Sequence, residues 1–329
     1  MGQLLLVRNS TDAENYRLIE EAHVGGFVLY TKGKLLRTKQ SVRRLTDDLQ
    51  KAAKIPLIIA IDQEGGRVQR LGDGFPDMPS ALEQARTNTC YYWGDKMGRE
   101  LGRSGINVNL APVVDINSNP ENPVMGDRSY GKNADIVIES AHGMIKGTHN
   151  SHVLTCLKHF PGHGNVDTDS HVAMPVLNKT LDELEALELK PYRALHTLDT
   201  DCVMTSHILA VGLDPDEPVT FSKKAVDYLR NDIGFTGLIL TDSLTMDGIL
   251  SQADSLEEAA IKALKAGHDL LIIGRKRLND EDEEAFTADD IINVHKALVQ
   301  AIEDGDISEE QVEASYDRIM SLKRLRLNY

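Results

Sequence analysis

Val153-Leu154-Thr155-Cys156-Leu157, followed at once by Lys158-His159-Phe160-Pro161-Gly162-His163-Gly164, is the most informative stretch of this chain. The short apolar run is typical of a buried strand, and the proline and glycines after it break any regular element. A buried strand therefore opens into a loop rich in groups that carry protons. Enzymes of the α/β class place their chemistry in such loops, on a rigid scaffold.

The same alternation of a short apolar run with a helical stretch recurs along the chain. Seven runs are predicted as strands: Gly26–Tyr30, Leu57–Ile61, Val108–Val113, Val153–Leu157, Cys202–Ser206, Leu238–Thr241 and Asp269–Ile273. Gln3–Val7 is the candidate for an eighth. Helices are predicted at Ser41–Lys54, Tyr92–Arg103, Ala134–Thr148, Leu181–Leu198, Ser222–Asn231, Leu256–Ala266, Ala288–Glu303 and Glu309–Leu325. Capping boxes are predicted for Thr180 with Glu183, Ser255 with Glu258, and Ser308 with Gln311.

Repeated strand–helix units indicate a parallel sheet covered by helices. No linker, repeat or low-complexity segment divides the chain. Seven or eight such units therefore favour an α/β fold with one (β/α)8 TIM-like barrel domain over residues 1–329. A doubly wound dinucleotide-binding sheet is disfavoured, because no glycine-rich phosphate fingerprint follows the first strand.

Composition excludes several classes of function. The 329 residues carry a net charge of −15, which argues against a general nucleic-acid surface. Cys90, Cys156 and Cys202 are scattered and form no CxxC pair, so no disulfide framework is implied. Leu4–Val7 is too short for the core of a secretion signal, and no apolar span of about 20 residues occurs. We therefore expect a cytoplasmic protein without a membrane partner, and favour a monomer.

Polar and charged residues follow at least five of the predicted strands, where barrels carry their catalytic groups. One such residue alone is most often an ordinary loop charge, but a set placed so regularly predicts one shared active-site mouth. In chain order they are Asp62, Gln63, Glu64, Arg67, Arg70, Asp115, Asp127, Arg128, Lys158, His159, His163, Asp169, His171, His207 and Asp242.

This mixture of side chains points to carbohydrate chemistry. Asp242 is a lone carboxylate at a strand tip with cations nearby, so it should stay ionised, as a nucleophile for glycosyl transfer through a covalent intermediate must. His171 is the candidate general acid, because Asp169 would hold its imidazole and favour the charged form. Directed hydrogen bonds to sugar hydroxyls and carbonyls are expected from Asp62, Arg70, Arg128, Lys158 and His159.

A metal site is another use for histidines in one loop. The chain has no H-E-x-x-H helix, and the ammonium of Lys158 beside His159 is unfavourable next to a bound cation. We therefore expect no metal and no cofactor. A metal-dependent hydrolase would lose its activity to a chelator.

The motifs resemble those of the bacterial β-N-acetylglucosaminidases of glycoside hydrolase family 3, and the resemblance extends from Val24 to Asp269. It is carried by Ile61-Asp62-Gln63-Glu64-Gly65-Gly66-Arg67-Val68, Leu110-Ala111-Pro112-Val113-Val114-Asp115, Lys158-His159-Phe160-Pro161-Gly162-His163-Gly164, Asp169-Ser170-His171 and Thr241-Asp242-Ser243-Leu244-Thr245-Met246.

The resemblance implies a single barrel that removes terminal β-linked N-acetylglucosamine with retention of configuration. Its substrate would be an oligosaccharide containing that sugar, such as a muropeptide fragment in cell-wall recycling. The resemblance also implies that Asp242 is the nucleophile and that His171, paired with Asp169, is the acid/base. The residues that would hold the sugar are Asp62, Arg70, Arg128, Lys158 and His159.

Two positions depart from the family pattern. Asn165-Val166 stands where the family usually has Asp-Thr, and Ser243 stands where it usually has a second Asp after the nucleophile. We hypothesise that Asn165 caps the loop as the family's Asp does. Two alternative functions stay open. A phosphorylase is one, because a histidine acid/base would not repel an incoming phosphate. A catalytically weak sugar-binding barrel is the other, because of Asn165-Val166.

Overall fold

Eight parallel strands form the centre of the molecule. The computed structural model describes residues 1–30, 38–72, 74–166, 174–197, 200–274 and 287–327, without the side chain of Arg326. The sheet order is β10-β1-β2-β3-β4-β5-β7-β9, and a parallel bridge from Leu240 to Leu270 joins its two ends. The strands of this ring are β1 (Leu5–Arg8), β2 (Gly26–Val28), β3 (Ile58–Ile61), β4 (Val108–Asn109), β5 (Leu154–Phe160), β7 (Cys202–Thr205), β9 (Leu238–Thr241) and β10 (Leu271–Ile273). The predicted (β/α)8 TIM-like barrel is confirmed.

Two short strands lie outside the ring. β6 (Val176–Leu177) pairs in parallel with β8 (Leu209–Ala210). Both come after ring strands in the chain, so this small sheet sits on the side of the barrel where the strands end. Neither strand is predicted from the sequence, because each has only two residues.

Helices surround the ring. They are α1 (Asp12–Glu21), α2 (Lys39–Ala52), α3 (Ala81–Arg86), α4 (Cys90–Arg103), α5 (Ala134–His149), α6 (Leu181–Ala186), α7 (Lys190–Leu195), α8 (Lys223–Asp227), α9 (Asp247–Leu250), α10 (Leu256–Ala266), α11 (Ala288–Glu303) and α12 (Glu309–Arg326). The helix predicted at Leu181–Leu198 is two helices, because Leu187 leaves the helical region and Pro191 occupies the first turn of α7. None of the helices in the described ranges is long and apolar enough to cross a membrane.

The predicted capping boxes are correct in one case of three. Thr180 and Glu183 exchange both bonds at the start of α6. Ser255 caps α10, but the Glu258 carboxylate accepts a hydrogen bond from the backbone amide of Asp254 and not from that of Ser255. Ser308 caps α12, but the Gln311 side chain donates to the carbonyl of Leu264.

The last helix covers the end of the barrel where the strands begin. Arg318 of α12 pairs with buried Asp269, just before β10, at 2.7 Å. Lys323 is fully buried, and its Nζ donates to Gln3 Oε1 at 2.8 Å and to the Gly25 carbonyl at 2.9 Å. With this end closed by packing, the opposite end carries the site.

Candidate active site

A cluster of buried charges connects the ends of β3 and β5. Lys158 Nζ lies 2.7 Å from Asp62 Oδ1 and 2.7 Å from Glu64 Oε1. Glu64 also accepts two bonds from Arg128, Nε to Oε2 at 2.8 Å and Nη2 to Oε1 at 2.9 Å. Arg70 Nη2 is 3.7 Å from the other oxygen of Asp62. Four of the five residues expected to hold a sugar thus belong to one connected cluster with Glu64.

The pKa values of Glu64 and Lys158 are shifted by the opposite charges around them. Burial acts to raise the pKa of the Glu64 carboxyl, but the charges of Arg128 and Lys158 outweigh it and hold that pKa well below its usual range. Burial acts to lower the pKa of Lys158, but the carboxylates of Asp62 and Glu64 raise it above its usual value. Glu64 and Lys158 are therefore ionised near neutral pH and form fixed hydrogen-bonding groups at the bottom of the mouth.

The local course of β5 places Lys158 in this cluster. The predicted strand ends at Leu157, but β5 continues to Phe160, so Lys158 and His159 lie within the strand and not in the loop after it. The register with β7 shifts between Lys158 and Phe160, and such an irregularity re-aims side chains. The Lys158–His159 and Phe160–Pro161 peptide bonds are cis.

His159 belongs to a second group, centred on Asp115. Its Nδ1 lies 2.7 Å from Asp115 Oδ2, and the backbone amide of His163 donates to Asp115 Oδ1 at 2.6 Å. Burial acts to raise the pKa of Asp115, but His159 and His163 lower it below its usual range. A carboxylate partner at Nδ1 orients the imidazole of His159 and leaves Nε2 as the ring nitrogen outside this bond. Burial lowers the pKa of His163 to about 4, so its ring is neutral at pH 7.

Asp242 follows directly after β9, as predicted. Its amide donates to the carbonyl of Thr205 at 3.1 Å, and the amide of Ser243 donates to its Oδ1 at 2.7 Å. Burial raises the pKa of the Tyr30 hydroxyl, and the nearby carboxylates of Asp62 and Asp242 raise it further. Tyr30, two residues after β2, is therefore close to both the candidate nucleophile and Asp62.

Asp169 and His171, the predicted acid/base pair, lie outside the residues that the structure describes. The residues just before this segment are described. The side chain of Asn122 donates to the carbonyls of His163 at 2.7 Å and Val166 at 2.9 Å. Asn165 Nδ2 donates to Ser118 Oγ at 2.9 Å. Hydrogen bonds thus join the loop after β5 to the loop after β4. One of them comes from Asn165, a position that departs from the family pattern.

Three residues at the mouth receive no role from the sequence: Tyr30, Glu64 and Asp115. Glu64 and Asp115 stand inside the recognised motifs, and their positions after strands are the available signal. Their function as buried counter-charges depends on Arg128 and His159, which are far away in the chain. Tyr30 ends a predicted strand and resembles any core aromatic residue.

Metal binding has no evident donor set in the part of the chain that the structure describes. Within those ranges, no group of three or more His, Cys, Asp or Glu side chains is arranged to hold a metal ion.

Comparison with known proteins matches residues 1–322 to the model of the glycosyl hydrolase family 3 N terminal domain. A beta-hexosaminidase of Idiomarina loihiensis is 32% identical over 92% of this chain and 94% of its own length. The beta-hexosaminidase LpqI of Mycobacterium tuberculosis is 32% identical over 98% of this chain and 81% of its own. A solved glycoside hydrolase family 3 beta-N-acetylglucosaminidase from Paenibacillus is 35% identical with a TM-score of 0.91, over 99% of this chain and 62% of that one. The chain belongs to glycoside hydrolase family 3, and the predicted enzyme class, a glycoside hydrolase, is confirmed.

Proposed function

We propose that this chain is a retaining, exo-acting β-N-acetylglucosaminidase. It releases terminal N-acetylglucosamine from β-linked glycosides, with muropeptide fragments as the natural substrate class. Similarity to proteins named beta-hexosaminidase over 92% and 98% of the chain supports a hexosamine substrate. The observation that carries the proposal is the cluster of charged side chains formed by Asp62, Glu64, Arg128 and Lys158, which lies at the same end of the barrel as Asp242.

The cluster suits a sugar because it offers both donors and acceptors in fixed positions. Asp62 is partly exposed, whereas Lys158 and Glu64 beneath it are buried. Its carboxylate accepts from sugar hydroxyls, Arg70 donates to ring substituents, and His159 Nε2 offers one further hydrogen-bonding position. The buried pairs below keep these groups from turning away, so the ligand meets a preorganised surface.

In the proposed reaction, an oxygen of Asp242 bonds to the anomeric carbon of the sugar while the bond to the leaving oxygen breaks. His171, charged and held by Asp169, gives its proton to that oxygen. Water then attacks the same carbon, His171 takes the proton, and the bond to Asp242 breaks. The roles of His171 and Asp169 rest on the family resemblance of the Asp169-Ser170-His171 triplet. That residues 1–329 act as one catalytic domain, as a monomer and in the cytoplasm, without a nucleic-acid or membrane partner, also stays a prediction.

Nitrophenol release from the β-N-acetylglucosaminide and the β-glucoside tests the proposal, with and without phosphate, for the wild type and Asp242→Ala. We expect preference for the acetamido sugar and nearly complete loss in the variant, because no covalent intermediate forms. Acceleration by phosphate would establish the phosphorylase instead, since phosphate would then replace water. Binding of N-acetylglucosamine without turnover on either substrate would establish the weak sugar-binding barrel.

The acid assignment has its own test. His171→Ala should slow glycosides with poor leaving groups far more than activated aryl glycosides, which need little protonation. Equal losses on both kinds of substrate would remove His171 from the mechanism and leave Asp242 in place.

A further inference from the structure

His207 is a buried histidine directly after β7 that the proposed reaction does not use. Its Nε2 lies 2.8 Å from the carbonyl oxygen of Ser243. A carbonyl oxygen only accepts hydrogen bonds, so Nε2 carries the proton and donates. Its Nδ1 lies 2.7 Å from Thr220 Oγ1, which is itself 3.2 Å from the Ser206 carbonyl. The ring is therefore held at both nitrogens.

Ser243, whose carbonyl accepts this bond, also contacts the candidate nucleophile. Its amide donates to Asp242 Oδ1 at 2.7 Å. Its hydroxyl accepts the amide of Gly274 at 3.1 Å and lies 2.8 Å from Thr245 Oγ1. A Cβ added at Gly274 would come within 2.6 Å of Ser243 Oγ, so Ser243 is also closely packed on the β10 side.

We propose that His207 is a positioning residue for Asp242. By holding the Ser243 carbonyl, it restrains the backbone of Ser243, and the amide of that same residue donates to the Asp242 carboxylate. This inference rests on the proposed function, in which Asp242 attacks the anomeric carbon. It assigns to His207 no contact with the sugar and no proton transfer.

The physical reason lies in the geometry of attack. A carboxylate at a strand end rotates about two side-chain bonds, and only some of its orientations bring an oxygen into line with the anomeric carbon. A fixed amide selects among these orientations and favours the ionised form. Displacement of a reacting group by about 1 Å costs up to about 100-fold in rate, so loss of the donor at His207 should be visible in turnover.

The test compares His207→Leu, which removes the donor, with His207→Gln, whose amide nitrogen reaches a similar position. His149→Leu is the matched control. His149 Nε2 pairs with buried Asp201 at 2.8 Å, at the end of the barrel where the strands begin, so its loss perturbs stability away from the nucleophile. All variants are assayed on a dinitrophenyl and a methyl β-N-acetylglucosaminide, with N-acetylglucosamine as a competitive inhibitor and the Tm measured in parallel.

For His207→Leu we expect kcat/KM to fall by the same factor on both substrates, on the order of 10- to 100-fold. A defect in nucleophile attack affects every leaving group, whereas a defect in the acid affects poor leaving groups. The inhibition constant should stay at the wild-type value, and His207→Gln should recover most of the rate. His149→Leu should keep the wild-type rate at temperatures below its Tm.

Wild-type kcat/KM in folded His207→Leu would overturn the proposal, and so would a loss confined to inhibitor binding. If His207→Leu does not fold, Thr220→Val replaces it: the ring loses its Nδ1 partner, and a smaller loss, again equal on both substrates, is expected. Full activity in Thr220→Val would then count against the proposal. Asp242→Asn distinguishes failure of the His207 proposal from failure of the proposed function. Wild-type turnover in that variant would refute the proposed function itself.

Discussion

The Arg128 guanidinium holds both oxygens of the Glu64 carboxylate, at 2.8 and 2.9 Å. Lys158 adds a third bond to the same carboxylate and a fourth to Asp62. Glu64 is therefore the anion that allows two cations to be buried under the barrel mouth. Because Asp62 is bonded to one of those cations, this partly exposed carboxylate is held in place by charges deeper in the fold.

Glu64→Gln should lower the free energy of unfolding by about 3–5 kcal/mol, because it removes the carboxylate that Arg128 and Lys158 share and leaves Lys158 with Asp62 alone. Urea unfolding at pH 7 measures the effect. Asp48→Asn is the control, since Asp48 pairs with Arg44 on the surface of α2 at 3.7 Å and should cost less than about 1 kcal/mol. Similar losses in both variants would show that the buried cluster adds nothing to stability.

Asp62→Asn should weaken recognition of the sugar more than it weakens the fold. A charge-assisted hydrogen bond contributes about 1.5–3 kcal/mol, so kcat/KM should fall by roughly 10- to 100-fold. The inhibition constant for N-acetylglucosamine should rise in parallel. Asp127→Asn provides a comparison, because Asp127 is an exposed carboxylate, 3.5 Å from Arg67. An unchanged inhibition constant in Asp62→Asn would place the sugar elsewhere.

The strands of the barrel were accessible from sequence because burial on both faces demands continuous apolar runs. Leu238–Thr241 is predicted with both of its ends correct. The run Val108–Val113 is predicted too long, since pairing as a named strand is limited to Val108–Asn109 and Pro112 has no amide to donate. A run of apolar letters thus locates a strand without fixing where its hydrogen bonds stop.

Only part of the candidate site could be predicted from the sequence, because several of its contacts are tertiary. Motif residues such as Asp62 and Lys158 are marked by their position at strand ends. The pairing of Glu64 with Arg128 is tertiary, between residues 64 positions apart, and nothing local predicts it. The same holds for His207, whose partner Ser243 is 36 positions away.

Asn165→Ala tests whether the bond to Ser118 maintains the loop after β5. One neutral hydrogen bond contributes about 0.5–1.5 kcal/mol, so turnover of a poor-leaving-group glycoside should fall by roughly 2- to 10-fold. Ser118→Ala removes the other partner of the same 2.9 Å bond and should have a similar effect. The double variant should be no slower than either single variant, because both changes remove one interaction. Fully additive losses, or an unchanged rate in Asn165→Ala, would contradict this role.

Lys323 should make stability depend on pH, because burial lowers its pKa to about 7. Its ammonium donates to the uncharged oxygens of Gln3 and Gly25. The unfolded chain keeps this proton up to a pKa of about 10.4, so between pH ~7 and ~10 the unfolded state binds more protons and stability rises with pH. Below pH ~7 both states are protonated, and this dependence ends.

Lys323→Met removes the titrating group and should flatten this part of the profile. Urea unfolding at several pH values between about 7 and 9.5 would show the wild type gaining up to about 1.4 kcal/mol per pH unit relative to the variant. The comparison cancels the other groups that titrate in this range, since both proteins contain them. Lys51→Met changes an exposed lysine, 76% accessible on α2, and its profile should run parallel to that of the wild type. If the Lys323→Met profile is also parallel to that of the wild type, Lys323 keeps an ordinary pKa in the folded protein. Burial of this ammonium of α12 would then cost no stability at low pH.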